Sequence, residues 1–72
     1  MTRRFEIVGG NSAKFWEVTH SGTEVTISFG RIGTIGQRQS KSLPTPAAAT
    51  RHVEKLIDQK LAKGYQETSA AV

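Results

Sequence analysis

The sequence predicts an α+β domain in which a small antiparallel β-sheet of about four strands is packed by one C-terminal α-helix. Three observations lead there. Between Arg4 and Phe29, apolar and polar residues alternate in short runs broken by glycine, the period of strands with one buried face. At Leu43-Pro44-Thr45-Pro46 the pattern stops, because neither proline can donate to a ladder. Beyond it, Ala49, Val53, Leu56, Ile57 and Leu61 recur at helical spacing on one stripe.

The elements follow in order. Phe5 and Ile7 alternate with Arg4 and Glu6 in a first strand, which Gly9-Gly10-Asn11-Ser12 turns back. Lys14 to Thr19 places Trp16 and Val18 on one side and Phe15 and Glu17 on the other, so a strand covered on both faces is expected. Ser21-Gly22 supplies a tight hairpin connection, since glycine tolerates the positive φ that such turns require. Glu24 to Phe29 alternates again, with Val25, Ile27 and Phe29 on one face. Gly30, Gly33 and Gly36 preclude a long regular strand and predict a second turn. Gln37 to Ser42 is almost wholly polar and therefore belongs at a sheet edge or on an open face. Thr45 reads as the N-cap of a helix over residues 46–63, with Pro46 in its first position, Lys60 and Lys63 at the negative end of its dipole, and Gly64 as its stop.

Seventy-two residues hold one domain, expected over 1–67, with 68–72 a frayed tail. The sequence has no cysteine, which removes disulfides, thiolate metal sites and a cysteine nucleophile, and fits a reducing compartment. There is no apolar run long enough for a leader or a membrane span, so a cytoplasmic protein without a membrane partner is expected. The net charge is +4, which favours acidic partners. Its distribution is uneven. Six bases against three acids leave residues 1–41 at +3, while residues 42–72 carry +1, and Arg31 to Lys41 contains three bases and no acid.

Catalytic equipment is missing from this pattern. No motif pairs a nucleophile with a base, and His20 and His52 stand apart without other ligands at metal spacing. The string GRIGTIGQ lacks the lysine and hydroxyl residue of a Walker A loop, and its glycine spacing is not that of a dinucleotide fingerprint. No enzymatic activity, metal, cofactor or small-molecule substrate is expected. Aromatic residues beside cations are instead the equipment of a nucleic-acid surface, because a ring offers a flat apolar face while Arg and Lys neutralise phosphates. Phe29, Arg31, Arg38 and Lys41 supply that combination. Two readings of Phe29 stay open on residues alone: a core side chain beside Val25 and Ile27, or a stacking ring. The glycines likewise allow either a tight turn or a close backbone approach to a phosphate or sugar. Trp16 shares its face with Val18 and reads as core.

The run KFWEV at Lys14 to Val18, then the hairpin, then FGRIGTIGQ at Phe29 to Gln37, then an alanine-rich amphipathic helix ending LAKGY at Leu61 to Tyr65, together resemble the WGR domain over about residues 3–67. The naming tripeptide reads Phe29-Gly30-Arg31, with phenylalanine in the place of tryptophan, similar to short stand-alone bacterial-type members. The resemblance implies a sheet-plus-helix module known best from poly(ADP-ribose) polymerases, where the motif's aromatic residue packs on the sugar of a terminal nucleotide at a DNA break. It implies that Phe29 stacks, that Gly30 is the permissive neighbour, that Arg31 contacts phosphate or a partner, and that Gln37, Arg38 and Lys41 line the adjoining strand. The expected function is non-catalytic DNA binding, to the backbone or to ends, without sequence specificity. The alternative is a protein-interaction module that docks a separately encoded acidic partner.

Overall fold

Among the described residues, hydrogen bonding forms five strands where about four were expected. The computed structural model describes residues 2–69. Strands β1 (Thr2–Gly9), β2 (Ser12–Ser21), β3 (Glu24–Arg31) and β4 (Gln37–Ser42) are followed by helix α1 (Pro46–Ala62) and a short β5 (Gln66–Glu67). All pairings are antiparallel, and the spatial order is β4-β3-β2-β1-β5. Two-residue turns led by Gly10 (φ 57°) and Gly22 (φ 59°) close the first two hairpins. The polar strand β4 lies at an edge, and all six of its residues are exposed.

The helix leaves the β4 edge and delivers the chain to the opposite edge, where β5 pairs with β1. Its 17 residues span ~25 Å at 1.5 Å per residue. That is enough to cross four inter-strand gaps of ~4.8 Å. Thr45 caps it by accepting a hydrogen bond from the Ala48 N–H at 3.0 Å, with Pro46 next in the chain. At the other end, the Tyr65 N–H donates to the Lys60 carbonyl and the Gly64 N–H to the Leu61 carbonyl, both at 3.1 Å. These two bonds make a Schellman stop that turns the chain into β5.

The core forms where the helix meets one face of the sheet: Phe5, Trp16, Val18 and Val25 from strands, and Ala49, Val53 and Ile57 from the helix. Phe5 and Trp16 are register partners whose rings tilt together at 5.7 Å. One stripe residue departs from expectation. Leu61 is 48% exposed, and Lys60 occupies the inward position. The reason is angular. At ~100° per residue, position 60 stands above 53, 56 and 57, whereas 61 swings off the stripe.

The face away from the helix carries the exposed Val8 and Ala13 at one end and, among polar neighbours, Phe15, which is buried. Two things cover it, as expected for a strand shielded on both sides. The Arg4 guanidinium lies 4.5 Å from the ring centroid and is held there by Glu6 (2.8 Å) and Glu17 (3.3 Å). The turn after β3 also folds under the ring, bringing Gly36 against it.

The C-terminal segment is tied down further than expected. The Thr68 N–H donates to the Arg4 carbonyl at 2.8 Å, and the Ser69 hydroxyl accepts from the Arg4 N–H at 2.6 Å. The remaining expected tail, 70–72, lies outside the described residues. Beside β5, Arg3 donates two hydrogen bonds to the Glu67 carboxylate, at 2.8 and 2.7 Å. Chiefly through these bonds, Arg3 holds the Glu67 carboxyl below the usual carboxylate range. A depressed folded value stabilises the domain above the unfolded carboxylate pKa of ~4.3. That contribution disappears as pH falls through the folded value. Glu67→Gln is expected to cost ~0.2–1 kcal/mol at neutral pH, as a solvent-screened pair should. It should also flatten this acid dependence in thermal melts recorded across a pH series.

Candidate nucleic-acid interface

Cross-strand register decides which expected site residues share a face. Phe29 pairs with Trp16 and Gln37, Arg31 with Lys14, and Lys41 with Val25, so all of these belong to the helix side of the sheet. Arg38 pairs with Ser28 and belongs to the opposite side. The structure therefore brings Phe29, Arg31, Gln37 and Lys41 onto one face and leaves Arg38 on the other. Gly30 sits at the sheet end, where a Cβ would come 2.8 Å from the Gly36 Cα, so the two glycines pack against each other beneath the strand.

A groove of about 380 Å³ opens where the helix C-terminus passes the end of β2 and β3. Trp16, Phe29 and Tyr65 are its main rings, and Lys14, Arg31 and Lys60 its cations; Gly30 lies between them, and no acid lines it. Phe29 is neither fully enclosed nor fully free. It is half-buried, packs against the core beside Ile27, and turns part of its surface to the groove. Trp16 is buried core and still contributes one wall. Gln37 and Lys41 are exposed but do not line this groove; Lys41 flanks a second hollow with Val25, Ile27, His52 and Leu56.

The cations divide by what they already hold. Arg3 and Arg4 are committed to Glu67, Glu6 and Glu17. Lys14 and Arg31 have no acidic partner among the described residues, and they stand directly opposite each other on neighbouring strands. Like charges in that relation repel and cost the fold stability. An anion seated between them would reverse the sign of this local term. Lys60 places its Nζ 5.7 Å from the Trp16 ring centroid and 5.5 Å from that of Tyr65. Burial first, and the charge of Lys63 second, lower its pKa from the ordinary lysine value. A partly desolvated ammonium is stabilised by an anion brought close to it. Sequence reading missed Lys60, Lys14 and Tyr65 as groove residues. The spacing of 60 from 53, 56 and 57 was the available signal for Lys60; Lys14 and Tyr65 are joined to the motif only by register and by the helix stop.

Among the described residues, no group of three or more His, Cys, Asp or Glu side chains could hold a metal ion. No helix there is long and apolar enough to cross a membrane.

The family model of the WGR domain matches residues 1–72. In Escherichia coli strain K12, the chain is similar to the uncharacterized protein YfeS, with 34% identity over 67 residues, covering 93% of this chain and 28% of YfeS. It is also similar to the protein YehF, with 45% identity over 65 residues, covering 90% of this chain and 24% of YehF. A crystal structure of a Bacteroides fragilis protein matches with a TM-score of 0.92 at 40% identity, over 94% of this chain and 19% of that one. The chain thus corresponds to a small part, between 19% and 28%, of each of these longer proteins.

Proposed function

This chain belongs to the WGR domain family, and from that premise we propose that it is a non-catalytic module that binds DNA by its backbone or ends without reading sequence. The family is a family of binding domains, known for nucleic-acid contact in poly(ADP-ribose) polymerases. The observation that carries the finer reading is the groove itself: a half-buried Phe29 flanked by Lys14, Arg31 and Lys60, with no acid in the lining. A ring at that depth suits the flat face of a sugar or an unstacked base, while the three cations suit the phosphates on either side. Gly30, between ring and guanidinium, is close-packed on Gly36 at the far face, where a Cβ would find no room. Gln37 and Lys41 extend the same face along β4. Arg38 belongs to the far face and makes no part of this contact.

Fluorescence anisotropy with a nicked or broken duplex, repeated across a salt series, tests the proposal. Three neutralised phosphates give log K a slope of roughly −2 to −3 against log salt. Arg31→Ala is expected to weaken binding and reduce that slope by about 1, whereas Arg38→Ala leaves it unchanged. Phe29→Leu preserves much of the packing and removes the flat face, with an expected affinity loss of ~1–3 kcal/mol. Absence of binding at low salt, or a flat salt dependence, overturns the reading. A stoichiometric, nuclease-insensitive protein partner recovered by pull-down would then favour protein docking through the same surface.

A further inference from the structure

A sheet edge leaves backbone donors and acceptors unused, and among the described residues no strand lies beyond β4. The Leu43 N–H donates to the Thr23 carbonyl at 2.8 Å, one step past the Glu24 and Ser42 pair. Antiparallel ladders alternate bonded and non-bonded pairs, so Gln37, Gln39 and Lys41 direct their backbone groups to β3, while Arg38, Ser40 and Ser42 aim theirs outward. Beside that edge lies the second hollow, of about 290 Å³, where Val25 and Ile27 of β3 and His52 and Leu56 of the helix meet β4. The free edge thus runs alongside an apolar recess with room for a branched aliphatic side chain.

The charge around this edge has one sign. Arg38 and Lys41 form no ion pair among the described residues, and no acid lines the hollow. At ~100° per residue, Lys55 stands ~60° from His52 around the helix, whereas Glu54 and Asp58 are turned ~160° and ~120° from it. Glu24 sits at the end of β3, where it accepts from the Ser42 hydroxyl at 3.3 Å. A second copy pairing its own β4 here would bring the basic side chains of both copies to one edge, which disfavours that pairing. An acidic strand reverses the sign of this interaction. We propose that β4 is a docking edge for an extended acidic peptide of a partner protein, which continues the sheet through the outward backbone groups of Arg38, Ser40 and Ser42 and places an apolar side chain in the hollow beside Leu56. Backbone bonds supply the affinity, and the hollow and the cations select the sequence. Of the residues lining the two recesses, only Ile27 is common to both, so the docking edge does not depend on the Phe29 groove binding DNA.

The test titrates the full chain into a fluorescein-labelled peptide of alternating valine and glutamate, somewhat longer than β4, with binding read by anisotropy and amide exchange by NMR. The peptide should bind and slow exchange at the N–H groups of Arg38, Ser40 and Ser42, and its counterpart with lysine for glutamate should bind about tenfold more weakly or worse. Methylating one alternate set of peptide nitrogens should abolish binding and methylating the other should leave it, because only one set faces β4 in an added strand. Ser40→Pro removes an outward N–H and no ladder bond, so the domain should keep its melting temperature and lose about tenfold in peptide affinity. Arg38→Glu should weaken the glutamate peptide and strengthen the lysine one. Should Ser40→Pro fail to fold, the two methylated peptides still decide. No binding of the glutamate peptide at low salt, equal binding of the lysine peptide, equal effects of the two methylations, or a β4 edge already paired with a second copy in solution would each overturn the proposal.

Discussion

Gly36→Ala is expected to destabilise the domain by about 3 kcal/mol or more, because two independent penalties meet at one position. Gly36 has φ 74°, a left-handed conformation that side chains disfavour, and a Cβ there would lie 2.3 Å from the Phe29 carbonyl oxygen and 2.8 Å from its carbon. Neither atom is the end of a flexible side chain, so β4 would have to move away from β3. A third contact, 2.9 Å to the Phe15 ring, closes the remaining direction. Gly33→Ala is the matched control. Its φ is 96° and nothing lies within 4 Å of its Cβ position, so it carries only the conformational cost of ~1–2 kcal/mol. Thermal unfolding of the two variants, followed by circular dichroism, measures the difference. Equal melting points would show that the packing of Gly36 beneath β3 contributes nothing.

Phe5→Ala is expected to cost ~3–5 kcal/mol, the usual range when a fully enclosed ring becomes a cavity. Phe5 has 0% exposure and pairs with Trp16 on one strand and with Glu67 on another, so its removal loosens the core and the closing edge together. Small domains lie near the lower end of the ~5–15 kcal/mol range of folding stabilities. A loss of this size should therefore lower the melting temperature by more than ~12 °C and leave a measurable unfolded population near 37 °C. Chemical denaturation with Trp16 fluorescence as the reporter checks it. A midpoint close to that of wild type would contradict the assignment of Phe5 to the centre of the core.

Much of this architecture was legible in advance because it depends on local periods. Alternation at Phe5, Trp16, Val18, Val25 and Ile27 describes which side of a strand meets the helix, and Pro44 and Pro46 mark where strand must give way to helix. The polar composition of Gln37 to Ser42 announced an edge, and an edge it is. β5 escaped notice because two residues carry no period; it exists only because the Schellman stop at Lys60 to Tyr65 aims the chain at the free side of β1. Phe29 could not be assigned to core or surface by alternation, since it is partly both.

The sequence by itself determined the class of fold, the edge strand, the helix with its cap and stop, and the presence of an aromatic residue among uncompensated positive charges. Only the tertiary structure decided which charges act together. Register put Lys14 opposite Arg31 and sent Arg38 to the other side; the helix ending brought Lys60 and Tyr65, some thirty residues further along the chain, to the same groove. Periodicity reports a side chain's direction relative to its own backbone, whereas a binding site is made of neighbours in space, and those are fixed by strand pairing and by where a helix ends.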